Sequence, residues 1–239
     1  MSGQIDSRIS VACPGKDDKV NVFLVERVML RAGKPIEGRK GKMEERRTMN
    51  DPIPQPQLQD GRGHKNPYPC WERIARLIWN CVYWVFFVPV PRYFGFWHRF
   101  LLKCFGARLG KEVVVYPTVR IALPWMLTLD DAVIIGYGAI LYSLGPIHIG
   151  KHTCISQRVH LCAGSHDYSD FRMPLIRAPI TIGAGCWVCA EAYVGPGVTI
   201  GDRSVVGARS VVTKDMPPDM VCAGNPCRPL KRRIMKPND

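Results

Sequence analysis

The chain has 239 residues, 46% of them hydrophobic, with 33 Lys/Arg against 20 Asp/Glu and a formal net charge of +13. That is enough apolar material for one medium-sized core with appendages, which excludes a chain that stays unfolded throughout. The basic excess suits an anionic ligand, a membrane surface or a nucleic acid equally, so its sign selects none of them.

Residues 1–66 hold few large apolar side chains, show no sustained period and end in a stretch containing Pro52, Pro54 and Pro56. They read as a disordered extension. Met49 offers an alternative start, which leaves open whether residues 1–48 belong to the native protein. Met1–Lys19 lacks the apolar segment of a secretory leader, which points to the cytoplasm. In a reducing compartment the ten cysteines stay free and behave as small hydrophobes.

Residues 67–112 read as a helical segment. Leu77–Val90 is almost wholly apolar and is stopped by Pro89 and Pro91. Its fourteen residues fall short of the roughly 20 that span a bilayer. In Phe94–Leu109 the residues Trp97, Phe100, Leu101, Cys104 and Phe105 fall at helical spacing, with Arg99, Lys103 and Arg108 off that stripe. The expected main role is to cap the following domain and pack on a neighbouring subunit. Peripheral contact between 71–109 and the inner membrane face is the secondary expectation.

The strongest signal is a period of six. Aliphatic residues recur at Ile182, Val188, Val194, Ile200, Val206 and Val212, and four of the six following positions are glycine. The fourth position after each aliphatic is mostly small. The same beat runs through Leu123, Leu129, Ile135 and Leu141, then resumes after a two-residue slip at Ile149, Ile155 and Leu161. A helix of 3.6 residues per turn would scatter such residues around its axis. A coil of short parallel strands uses them, one hexad per flat side and three sides per turn. Ile182 should therefore stack on Ile200 and Val188 on Val206, with glycine easing each corner. The fold class is an all-β parallel β-helix over 113–227, followed by a basic tail at 228–239. Leu161 and Ile182 stand 21 positions apart, three more than one coil, and this excess should be thrown outward as a functional loop.

Residues 113–231 resemble the hexapeptide-repeat acyltransferases, in particular the maltose/galactoside and colanic-acid-type exopolysaccharide acetyltransferases. The resemblance rests on SLGPIHIGKHTCISQRVHLCAGSHDY, on PITIGAGCWVCAEAYVGPGVTIGDRSVVGARSVVTKDMPP and on CAGNPCRPLK. It implies a left-handed coil, a homotrimer, and acetyl-coenzyme A as co-substrate in the groove between neighbouring β-helices. It also implies O-acetylation of a sugar or exopolysaccharide precursor, with His166 as general base. An imidazole suits that role, because a sugar hydroxyl must lose its proton as the ester bond forms. No covalent acyl-enzyme is required. Asp167 or Asp170 is a candidate to orient the ring, as is a backbone carbonyl.

By the same resemblance the coenzyme positions are Trp187, Ala190, Ala208, Thr213, Lys214, Arg228 and Lys231. Ala190 stands where relatives often carry Ser, so a side-chain contact is lost there. Lys231 stands where they often carry Arg, which keeps the charge and loses the bidentate fork. Cys186 and Cys189 have CxxC spacing, yet both occupy slots that take small residues, and no metal is expected. His148, His152, His160 and His166 leave a γ-class carbonic-anhydrase-like metalloenzyme as one alternative. A non-catalytic scaffold is another. No nucleic-acid motif is present.

Overall fold

The computed structural model describes residues 68–235. The expected disorder of 1–66 therefore lies outside the described residues.

The hexads build a parallel β-helix of about six turns. Face A carries the strands Arg108–Leu109, Leu127–Leu129, Ile147–Ile149, Ile180–Ile182 and Thr199–Ile200. Face B carries Val114–Val115, Ile134–Ile135, Cys154–Ile155, Trp187–Val188, Val205–Val206 and Met220–Ala223. Face C carries Arg120–Ile121, Ile140–Tyr142, His160–Cys162, Tyr193–Val194 and Val211–Val212. Ile182 pairs with Ile200 and Val188 with Val206, the expected stacking. Each of the six repeat aliphatics from Ile182 to Val212 is fully buried, and Cys186, Ala192, Val198, Ser204, Ser210 and Met216 fill the narrow positions between them. One continuous column of side chains forms the core.

The turns differ in length. Leu109, Leu129 and Ile149 stack twenty residues apart. The two extra residues sit at the corner from face C to face A, where Pro124–Met126 forms a 3-10 turn in the first coil. The third-face position that stacks inward is accordingly Ile121 on Leu141. Leu123, expected on the beat, is buried in the corner instead. Ile149 pairs with Ile182 and Leu161 with Val194, thirty-three residues apart rather than eighteen. The insertion is therefore fifteen residues, not three, because Leu161 and Ile182 lie on adjacent faces and needed only one hexad between them.

The corner glycines also have a different reason from the one expected. Left-handed backbone falls two positions later, at Gly185, Glu191, Gly197, Arg203 and Arg209. Gly183 itself is needed for close approach: an added Cβ would stand 2.7 Å from the backbone nitrogen of Asp202 in the next coil. At the far end, the basic stretch expected as a tail contributes the strand Arg228–Arg232, antiparallel to Met220–Ala223.

Two helices precede the solenoid. Helix α1 (Cys70–Val82) follows Pro69 and continues as a π-helical turn, Tyr83–Phe87. The wider turn keeps Trp79, Tyr83 and Phe87 on one side, all buried, with ring centroids 5.6–5.9 Å apart. The Trp79 Nε1 donates to the Ile121 carbonyl at 2.8 Å, which satisfies its buried N–H. Helix α2 (Gly95–Cys104) buries His98, Leu101 and Leu102. The expected stripe is thus shifted: Phe100 and Cys104 face outward. His98 Nε2 approaches the Phe87 carbonyl at 3.1 Å and Trp97 Nε1 donates to the Phe86 carbonyl at 2.9 Å, so α2 caps the end of the π turn. Among the described residues no helix is long and apolar enough to cross a membrane.

Candidate active site

The insertion leaves the solenoid after face C as a hairpin, Gly164–His166 antiparallel to Leu175–Arg177, with His166 opposite Leu175. His166 is exposed at the open end of this hairpin. Its Nδ1 lies 2.6 Å from the Met173 carbonyl oxygen. A carbonyl can only accept, so Nδ1 carries a proton, and in the neutral ring Nε2 is the nitrogen that keeps a lone pair. Met173 holds φ at +44°, a left-handed conformation costly for a side chain with a Cβ, and its N–H donates to the Asp170 carbonyl at 2.8 Å. Local backbone strain is thus stored beside the exposed imidazole, as is common where geometry serves function.

Neither acidic candidate orients the ring. Asp167 Oδ1 accepts from the Ser169 N–H and hydroxyl at 2.9 and 2.6 Å, and these bonds hold its carboxyl below the usual range. Asp170 is held down likewise by the Arg172 guanidinium and backbone N–H. Both carboxylates shape the loop while a backbone carbonyl positions the imidazole. Tyr168 and Phe171 project from the same loop, Tyr168 with 95% of its surface exposed. Neither residue stands among the sequence-level candidates, although aromatic side chains in an outward insertion are a readable signal for an acceptor surface.

Arg177 ties the base of the hairpin to α1. Its Nη2 donates to both carboxylate oxygens of Glu72 at 3.0 Å. Glu72 is almost wholly buried. Arg76 Nη2 stands 3.1 Å from Glu72 Oε1, too poorly aligned for a hydrogen bond, so Arg76 contributes charge only. Its guanidinium lies over the Tyr68 ring at 3.7 Å.

The coenzyme candidates occupy two corners and face B. Ala190 and Ala208 stack at the corner between faces B and C, where Arg209 N–H donates to the Ala190 carbonyl at 2.9 Å. Arg228 arrives beside them, because the Gly224 carbonyl accepts from Val211 N–H and Cys227 N–H donates to the Val211 carbonyl. Lys231 lies opposite Val221 on face B, and Trp187 stands half-exposed on the same face, its Nε1 donating to Ser156 Oγ at 2.8 Å. Thr213 and Lys214, both exposed, follow face C at the same corner that releases the His166 hairpin two coils earlier. The width of face C therefore separates the two groups within one chain.

The other histidines do not converge. His148 pairs with Asp130 at 3.2 Å on face A, while His160 sits on face C with its ring edge-on to Tyr193. Among the described residues no group of three or more His, Cys, Asp or Glu is placed to hold a metal ion. Burial raises the Cys186 and Cys189 thiols, and pushes Cys222 up to about 11, so these cysteines pack rather than ionise.

A solenoid of glycine-spaced hexads carrying an outward histidine hairpin is the architecture of the hexapeptide-repeat proteins. Residues 179–214 match the family model described as Bacterial transferase hexapeptide (six repeats). The chain is 45% identical over 157 residues to the "Putative colanic acid biosynthesis acetyltransferase WcaF" of Escherichia coli (strain K12), covering 66% of this chain and 86% of that protein. Among solved structures it resembles a galactoside acetyltransferase in complex with coenzyme A, at 28% identity and a TM-score of 0.64 over 70% of this chain and 84% of that one. It also resembles a hexapeptide-repeat acetyltransferase of Vibrio cholerae O1 biovar eltor complexed with acetyl coenzyme A, at 26% identity and a TM-score of 0.65 over 72% and 94%. The chain belongs to the hexapeptide-repeat acetyltransferases.

Proposed function

We propose that this enzyme moves an acetyl group from acetyl-coenzyme A to a hydroxyl of a sugar or exopolysaccharide precursor, with His166 as general base. The observation that carries this reading is the 2.6 Å contact from Nδ1 of the exposed His166 to the Met173 carbonyl, which in the neutral ring assigns the lone pair to Nε2. An acceptor hydroxyl placed beside Nε2 gives up its proton as its oxygen attacks the thioester carbonyl. The carbon–sulfur bond breaks, and the proton held on Nε2 passes to the departing sulfur. The imidazole thus ends each cycle neutral, and no acyl group rests on the protein.

The residues present fit the coenzyme. Arg228, Lys231 and Lys214 are exposed cations suited to its phosphates, and Trp187 offers a half-exposed ring to an apolar arm. Ala190, Ala208 and Thr213 leave backbone amides at the corners. Because face C separates the His166 corner from the Arg228 corner, a groove completed by a neighbouring chain brings both to one ligand. The outward row of face B, Val114, Ile134 and Trp187, is apolar and exposed, which suits self-association as a homotrimer. A cytoplasmic location supplies the co-substrate. The test is incubation with acetyl-coenzyme A and candidate saccharides. Expected is thiol release matched by an alkali-labile acetyl ester on the sugar. Thiol release without any acetylated saccharide contradicts the reading.

A further inference from the structure

The helices bury one side against the solenoid and leave the other bare. Along α1 and its π-helical turn, Ile74, Ile78 and Val85 form one exposed stripe, with Trp84 beside it. The bare surface continues onto α2: Trp97 donates to the Phe86 carbonyl and stacks on Phe100 at 5.6 Å, and Phe96 is exposed nearby. So large an exposed apolar and aromatic surface marks a contact site.

Charge identifies the occupant. Residues 70–111 contain seven Lys/Arg and a single acidic residue, Glu72, which is buried and committed to Arg177. Arg73 and Lys103 on these helices are exposed, so the face presents only positive charge to its surroundings. A second copy would bring like charge against like. Residues 1–66 carry 13 Lys/Arg against 9 Asp/Glu, so they offer no complement either. An anionic bilayer surface complements both features, accepting aromatic rings at its headgroup level and cations at its phosphates.

We propose that the outer face of α1 and α2 docks peripherally on an anionic lipid surface. Docking leaves Glu72 holding Arg177, and so hangs the His166 hairpin from the docked helix. Resting on the acetyl-transfer reading above, this makes the acceptor a saccharide carried on a lipid rather than one free in solution.

The experiment is co-sedimentation of the full chain with vesicles of phosphatidylcholine alone, or mixed with phosphatidylglycerol, at low and high salt. Expected is binding to the phosphatidylglycerol vesicles that falls by about tenfold or more at high salt. The exposed-site variant Ile78→Glu/Trp84→Glu should lose that binding by a similar factor, while titration with coenzyme A and the solution mass stay unchanged. Equal binding to neutral and anionic vesicles, or none, overturns the proposal. A lower solution mass in the double variant overturns it too, assigning the face to contact between copies. Vesicle binding is read without any acetyl transfer, so its failure leaves the His166 chemistry standing, and failure of that chemistry leaves docking standing.

Discussion

Replacing Glu72 with Gln removes a buried negative charge while preserving the side chain's shape, and leaves the Arg177 guanidinium one neutral acceptor in place of two charged ones. Breaking a fully buried pair costs about 3–5 kcal/mol, whereas an exposed pair is worth about 0–1 kcal/mol. Here the carboxylate side chain is 3% exposed and the Arg76 and Arg177 side chains 24% and 28%. Water thus reaches the cations and recovers part of the loss, which gives about 2–3 kcal/mol. For a chain of this size that lowers the melting temperature by roughly 4–12 °C. Arg177 pairs with Gly164 at the base of the hairpin, so turnover should fall as the His166 strand loosens, with coenzyme affinity unchanged. Thermal denaturation of Glu72→Gln, Arg177→Gln and the double variant is the assay. The double variant should lose less than the sum of the two. Strict additivity, or a shift within about 1 °C, refutes the role given to this pair.

Arg228→Glu combined with Lys231→Glu should weaken coenzyme A binding about ten- to hundredfold in calorimetric titration, and an unchanged dissociation constant places the phosphates elsewhere. Gly183→Ala should destabilise by about 1–3 kcal/mol in denaturant unfolding, because its Cβ meets the Asp202 backbone. Gly95→Ala, with nothing within 4 Å of the added carbon, should be neutral or better. Burial holds the His160 imidazole below its ordinary value of 6.5. Below that value the unfolded chain takes up a proton that the folded chain resists, so stability should fall as pH drops through 6.5 and level off beneath the folded value. His160→Gln should flatten that slope in melts taken from about pH 5 to about pH 7.5, and an unaltered slope would assign it to other groups.

Much of the fold was legible because the solenoid encodes its stacking locally. Ile182 on Ile200 and Val188 on Val206 follow from a count of eighteen. The count misled where coils are unequal: Leu161 and Ile182 occupy adjacent faces, so the insertion was underestimated, and Leu123 left the beat for a corner. The α2 stripe shifted because His98, packed against Phe87 of the π turn, is buried together with Leu101 and Leu102 and so sets the inner side. At the site, His166 stood out as a motif residue. Its partner did not, because a backbone carbonyl has no side chain to read, and Met173 acts only through that carbonyl. Glu72 and Arg177 lie 105 residues apart, a pairing that only the folded hairpin brings together.

The central claim is that His166 Nε2 takes the acceptor proton. His166→Ala, assayed by thiol release from acetyl-coenzyme A with a competent saccharide, tests it most directly. Expected is a loss of about 10²–10⁴ in turnover with coenzyme A affinity unchanged. Turnover equal to that of the unaltered enzyme would contradict it.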